Sequence, residues 1–199
     1  SVCDHVEFPV HVLIRARRGN FCYNQHELGE MVRDVRAAVQ AGADAIVIGA
    51  LTAAHEVDVE AMKRLLEAAD GCSVTFHRAF DVAAEPYKAL DALINLGLQR
   101  LLTSGQQPKA PQGTALIGEL VKRSGSQFAI LPGSGINAEN AQRVLDETGA
   151  QELHFSAMRS MPQAANTVAM GSGSPEEDFI EVFDTAKAQA VLNALQQHA

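Results

Sequence analysis

Tryptophan is absent, tyrosine occurs twice, and aromatic residues make up only 5% of the 199-residue chain, so any core must be built mainly from aliphatic side chains. Cysteine is nearly as scarce: Cys3, Cys22 and Cys72 are an odd number, which argues against a disulfide framework and for a reducing compartment. No apolar run approaches the ~20 residues of a membrane-spanning helix. The opening Ser-Val-Cys-Asp-His also lacks the charged-then-apolar layout of a signal peptide. Basic residues are outnumbered, 16 Lys+Arg against 24 Asp+Glu, giving a formal net charge of −8. No Lys/Arg cluster forms a stripe that would follow a phosphate backbone or an anionic lipid surface. Nucleic acid and membrane are thereby set aside as partners, and a globular, cytoplasmic chain is expected.

What is present is one pattern repeated six times. A short β-branched or Leu-rich run is followed by a polar or Gly-rich loop, an amphipathic stretch, and a glycine before the next run. The runs are Val10–Arg15, Ala45–Gly49, Ser73–His77, Arg100–Thr103, Phe128–Leu131 and Glu152–Ser156. Apolar residues at spacings of three and four, such as Leu90, Leu93 and Ile94, predict helices over His26–Gln40, Val59–Ala69, Pro86–Leu96, Gly113–Arg123 and Ala138–Glu147. Alternating strands and helices at this spacing mean a parallel sheet with helices outside it. Several runs end in small or polar residues, which suits a closed barrel whose strand ends gather around one mouth better than a doubly wound sheet. The expected fold is therefore α/β, a (β/α) TIM-barrel-like single domain over 1–199. A full barrel has eight units and about 250 residues, so six units imply that the first two are missing. The Ser-, Gly- and Met-rich segment 158–175 reads as a flexible loop. Ser174-Pro175-Glu176-Glu177 then reads as the N-terminal cap of a closing helix over 176–196.

The chemistry concentrates at the run ends. Val74-Thr75-Phe76-His77-Arg78-Ala79-Phe80-Asp81 ends an apolar strand in an acid/base, a cation and a carboxylate, a cluster that either a ligand or a salt-bridge network must use. Arg15, Arg17 and Arg18 place three cations within four positions, which calls for an anionic partner, either a substrate group or a carboxylate such as Asp81. The turn Gly133-Ser134-Gly135, between a strand and a helix, offers bare amides to an anion. His154 and Ser156 share parity on the last run and so are expected on one side. In the resulting reading Arg15, Arg17 and Arg78 clamp an anion and Gly133, Ser134 and Gly135 cradle it. Thr103, Ser104 and Ser156 complete the polar mouth, and His77, with Asp81 or His154, transfers protons. The alternative for the Arg78–Asp81 pair is a purely structural one.

The blocks Ile14-Arg15-Ala16-Arg17-Arg18-Gly19-Asn20-Phe21, Thr75-Phe76-His77-Arg78-Ala79-Phe80-Asp81, Leu102-Thr103-Ser104-Gly105-Gln106 and Glu152-Leu153-His154-Phe155-Ser156-Ala157 together resemble the motif series of the CutC copper homeostasis protein family. Ala16, Arg18 and Asn20 depart from the family's usual Arg-Pro-Arg-Gly-Gly-Asp-Phe, and Asn20 lacks the carboxylate. The resemblance implies a (β/α) barrel in the cytoplasm, often a homo-oligomer, with copper as its ion. The opening units that carry the family's proposed cysteine ligands have no counterpart here. Cys22 and Cys72 are the remaining metal candidates, beside Met158, Met161 and Met170. Two functions follow: a copper-binding, copper-tolerance protein, or a barrel enzyme acting on a small anionic or phosphorylated metabolite.

Overall fold

The computed structural model describes residues 1–162 and 179–196. Through Thr148 they alternate strictly: β1 (His11–Leu13), α1 (Gln25–Gln40), β2 (Ala45–Ile48), α2 (Val59–Ala69), β3 (Ser73–Phe76), α3 (Pro86–Asn95), β4 (Arg100–Thr103), α4 (Thr114–Ser124), β5 (Ala129–Pro132) and α5 (Ala141–Thr148). The helix starts are written in local chemistry. Asn24 caps α1 by accepting from the Glu27 N–H at 3.0 Å, while the Glu27 carboxylate accepts from the Asn24 N–H at 2.9 Å, a capping box. Asp58 caps α2 through the Ala61 N–H at 2.9 Å.

The five strands form one sheet in the order β1-β2-β3-β4-β5, every neighbouring pair parallel, with His11 opposite Ala45 and Ala45 opposite Ser73. Side-chain alternation divides the sheet into two faces. Ile46, Ile48, Val74, Phe76, Leu101 and Ile130 point to the helices and join Met31, Val35, Met62, Leu65, Leu90, Leu93, Ile117, Leu120 and Val144 in one buried cluster. On the other face Leu13, Val47, Thr75, Leu102 and Leu131 border a cavity, and Leu13 is 60% exposed. A doubly wound sheet has helices on both faces. Here the helices cover one, which is the barrel arrangement.

Three expected elements differ. Glu152–Ser156 does not form a sixth strand: it meets β5 in a single parallel bridge between Gly133 and His154, with the His154 N–H donating to the Pro132 carbonyl at 3.0 Å. Pro132 presents its carbonyl to that neighbour but has no N–H with which to return the second bond, so the ladder stops. Further on, Met158–Pro162 is not loop but a strand, β6, paired antiparallel with β7 (Phe179–Phe183). The final helix, α6, spans Thr185–Gln196 and so begins later than Glu176. Phe179-Ile180-Glu181-Val182-Phe183 is β-branched and aromatic, a composition that favours strand over helix. The remainder of the expected loop, 163–175, and the expected cap Ser174-Pro175-Glu176-Glu177 lie outside the described residues.

Candidate functional site

The sheet face that no helix covers among the described residues holds a cavity of about 360 Å³, and His77 borders it. The His77 N–H still donates to the Ile48 carbonyl at 2.9 Å, so the strand ladder carries this residue to the C-terminal edge of the sheet. Its ring is buried, 5% exposed, and Nδ1 accepts from the Ala79 N–H at 3.2 Å at the start of the short 3₁₀ turn Arg78–Val82. A nitrogen that accepts carries no proton, so the neutral ring holds its proton on Nε2. Burial drives the pKa down from 6.5 to about 4, and the charge of Arg15 pushes the same way. His77 is therefore a neutral donor at pH 7 and not an imidazolium.

Among the described residues that Nε2 is buried without a hydrogen-bond partner, and so is the Oγ1 of Thr75, which is 3% exposed and borders the same cavity. Residues 75 and 77 share a face because strand side chains alternate with period two. Leaving a buried polar group unpaired costs about 1–3 kcal/mol. Each such group calls for an explanation, and a bound ligand is one. Above His77 the Phe21 ring lies tilted, its centroid 5.0 Å away, and the Arg15 guanidinium lies 4.6 Å above Phe21. Arg15 also donates to the Gly19 carbonyl at 2.6 Å, so a cation is held at the rim over an aromatic layer.

Arg78 also borders the cavity, but it is anchored from behind. Its Nε donates to Asp81 Oδ2 at 2.7 Å and its Nη2 to Ser104 Oγ at 2.8 Å. The Asp81 side chain is 7% exposed and accepts in addition from the Thr103 hydroxyl at 2.5 Å, the Ser104 N–H at 2.9 Å and the Gln106 N–H at 3.2 Å. Thr103 and Ser104 are buried in this knot. Asp81 does not hydrogen-bond His77, contrary to its expected part in proton transfer. Its oxygens are taken by Arg78 and by donors from the end of β4 and the loop that follows it.

The other expected residues divide in the same way. Arg17 is not a free anion clamp: it pairs with Glu27 at 2.5 Å, donates to the Asn20 and Cys22 carbonyls at 2.9 Å, and lies over Tyr23. Gly133, Ser134 and Gly135 do not sit on a helix N-terminus, because α5 begins at Ala141. Ser134 takes φ 81° and its hydroxyl donates to the Pro108 carbonyl at 3.1 Å, so the turn ties two loops together. His154 reaches the cavity, with its pKa held below the ordinary imidazole range by the atoms packed around it. Ser156 faces a different cavity, of about 280 Å³, against Lys187 and Val191 of α6. Shared parity fails for these two because only His154 is held in a bridge. Thr75 and Phe21 went unassigned from sequence. The signal for Thr75 was its parity with His77.

Comparison with known proteins places this arrangement. The CutC family model matches residues 1–159. The family protein CutC of Pasteurella multocida is 40% identical over 202 aligned positions, covering 100% of this chain and 82% of that protein. The family protein CutC of Bacteroides thetaiotaomicron is 42% identical over 191, covering 94% and 76%. A solved structure from Streptococcus agalactiae, described as a candidate copper homeostasis protein CutC, superposes with a TM-score of 0.74 at 36% identity, covering 77% of this chain and 75% of that one. A solved aldolase at 18% identity and TM-score 0.56 shares the fold alone. A TIM-barrel-like α/β sheet, the Phe-His-Arg-Ala-Phe-Asp knot at its C-terminal edge and a family match over four-fifths of the sequence agree: the chain belongs to the CutC family.

Proposed function

We propose that this chain serves copper homeostasis in the cytoplasm, as the name of its Streptococcus agalactiae relative implies for that protein, and that it works through a small-ligand site in the concave mouth. The observation that carries the mouth reading is that Thr75 and His77, which border one cavity, each hold a buried polar atom, Oγ1 and Nε2, with no hydrogen-bond partner among the described residues. Copper itself, as cargo, meets a poor donor set. Among the described residues no group of three His, Cys, Asp or Glu comes together. Cys22 follows β1 at the mouth, whereas Cys72 precedes β3 at the opposite end of the sheet, its Sγ 3.5 Å from the Ala43 carbonyl. Burial raises the Cys72 pKa, which keeps it a thiol where a soft metal needs a thiolate.

A second reading, a barrel enzyme acting on a small anionic metabolite, is supported by Arg15 at the rim and His77 and His154 bordering the same cavity. Self-association belongs to both readings, since the outer edge of β1 has no strand partner among the described residues. Competition of the protein against a Cu(I) chelator tests the donor set. Weak binding, unchanged in Cys22→Ser and Cys72→Ser, is expected. A tight one-to-one site lost in either variant contradicts the poor donor set and places copper at that cysteine.

A further inference from the structure

We infer that the inner wall of the mouth holds the neutral acceptor oxygen of a small organic acid between the Thr75 hydroxyl and the His77 Nε2–H, with the acid's charged end at Arg15 on the rim. The inference rests on the reading of the mouth as a ligand site and adds the ligand's chemistry.

Three observations lead to it. Both inner groups can donate, both are more than nine-tenths buried, and neither has a partner among the described residues. Because Nδ1 is occupied by the Ala79 N–H, Nε2 presents a proton and not a lone pair, so the wall asks for an acceptor. The wall around them is aliphatic, with Val47, Leu102 and Leu131. A full charge buried among these carbons against neutral donors would lose more hydration than it regains, whereas a carbonyl oxygen is satisfied by two such hydrogen bonds. One cation stands back from the wall: Arg15 lies above Phe21, which lies above His77, one aromatic layer out. Arg78 also borders the cavity, with Nε and Nη2 committed to Asp81 and Ser104 and Nη1 in no hydrogen bond among the described residues. Charge outside, carbon between and a neutral oxygen inside describe a short-chain acid bearing a carbonyl several bonds from its carboxylate. A cavity of about 360 Å³ is at the small end of ligand pockets, which suits a molecule of this size.

The test uses the full chain and three probes in titration calorimetry at pH 7: 4-oxopentanoate, pentanoate, which lacks the inner oxygen, and inorganic phosphate. The oxo acid is expected to bind about tenfold more tightly than pentanoate, the worth of one or two good hydrogen bonds. Thr75→Val should erase most of that preference, and Thr75→Ser, which keeps the hydroxyl, should retain it. Removing an unpaired hydroxyl from a buried wall should leave the ligand-free Thr75→Val protein with a thermal midpoint at or above the wild-type value, so a folding defect cannot mimic the loss. Equal affinity for the two acids, or Thr75→Val binding the oxo acid as wild type does, overturns the inference and leaves the mouth reading standing. Phosphate binding without either acid overturns it in favour of a phosphorylated ligand, and failure of all three probes overturns the inference and the mouth reading together.

Discussion

Truncating Asp81 is the sharpest perturbation of the scaffold beneath the site. Its carboxylate gathers Arg78, Thr103, Ser104 and Gln106, two of them through backbone N–H groups that cannot turn elsewhere. The Ser104 hydroxyl lies within reach of both Asp81 and the Gln107 carbonyl, and with one proton it donates to one of them. In Asp81→Ala these donors lose their acceptor inside a region only 7% exposed at the carboxylate. Breaking a buried, hydrogen-bonded ion pair from one side costs about 3–5 kcal/mol, most of it the penalty on the groups left behind. For a chain of this length that corresponds to a fall of roughly 10 °C in the thermal midpoint. Arg78→Ala should cost far less, about 1 kcal/mol. The Arg78 side chain is 41% exposed, water can replace part of its contribution, and Asp81 keeps its other donors. Urea unfolding followed by far-UV circular dichroism is the suitable assay, since the chain has no Trp and only two Tyr. A cost below 1 kcal/mol for Asp81→Ala, or one no larger than that of Arg78→Ala, would refute the account of Asp81 as the knot's acceptor.

Gly49→Ala would place a Cβ 2.6 Å from His77 Cε1 and Nδ1, so the ring must shift and the Ala79 bond with it. Overpacking of this kind costs about 1–3 kcal/mol, and calorimetry should show ligand binding weakened more than stability; unchanged binding would mean the ring is not held where the hydrogen bonds place it. The pH dependence follows from His77, whose folded pKa of about 4 lies below the unfolded value near 6.5. The unfolded chain therefore takes up the proton first, so stability is full above about pH 6.5 and declines as pH falls toward about 4, by about 3 kcal/mol. The other titratable or charged groups bordering the cavity are His11, Arg15, Arg78 and His154. Urea midpoints across that window should flatten in His77→Gln, and an identical slope in the variant would assign the effect elsewhere.

The alternation of elements was legible because each depends on near neighbours. Apolar periodicity places α2 at Val59–Ala69 as expected, and α1 begins at Gln25, one residue before the expected His26. The β6–β7 hairpin was not legible. Its strands are separated by residues 163–178, and Ser174-Pro175-Glu176-Glu177 imitates a helix start just ahead of a β-branched strand. At the site the same division holds. His77 was recognisable from type and position, but the fate of Asp81 depends on Thr103, Ser104 and Gln106, 22 to 25 positions away, which no local rule connects. Arg17 shows the reverse error: three close cations suggested a ligand, and Glu27, ten positions on, already neutralised one of them. Thr75 was hidden by its ordinariness in a strand. It stands out only once its hydroxyl is seen to be buried and unpaired.

The central claim is that His77 presents a neutral Nε2–H to a ligand in the mouth, and the imidazole ¹H–¹⁵N correlation spectrum reads it directly. The chain has seven histidines, and His77→Gln assigns the signal. At pH 7 the ring should be Nε2-protonated and uncharged, with the Nε2 resonance moving when 4-oxopentanoate is added and staying in place with pentanoate. An Nδ1-protonated tautomer, an imidazolium at pH 7, or a His77 signal unmoved by a ligand that calorimetry shows to bind would contradict it.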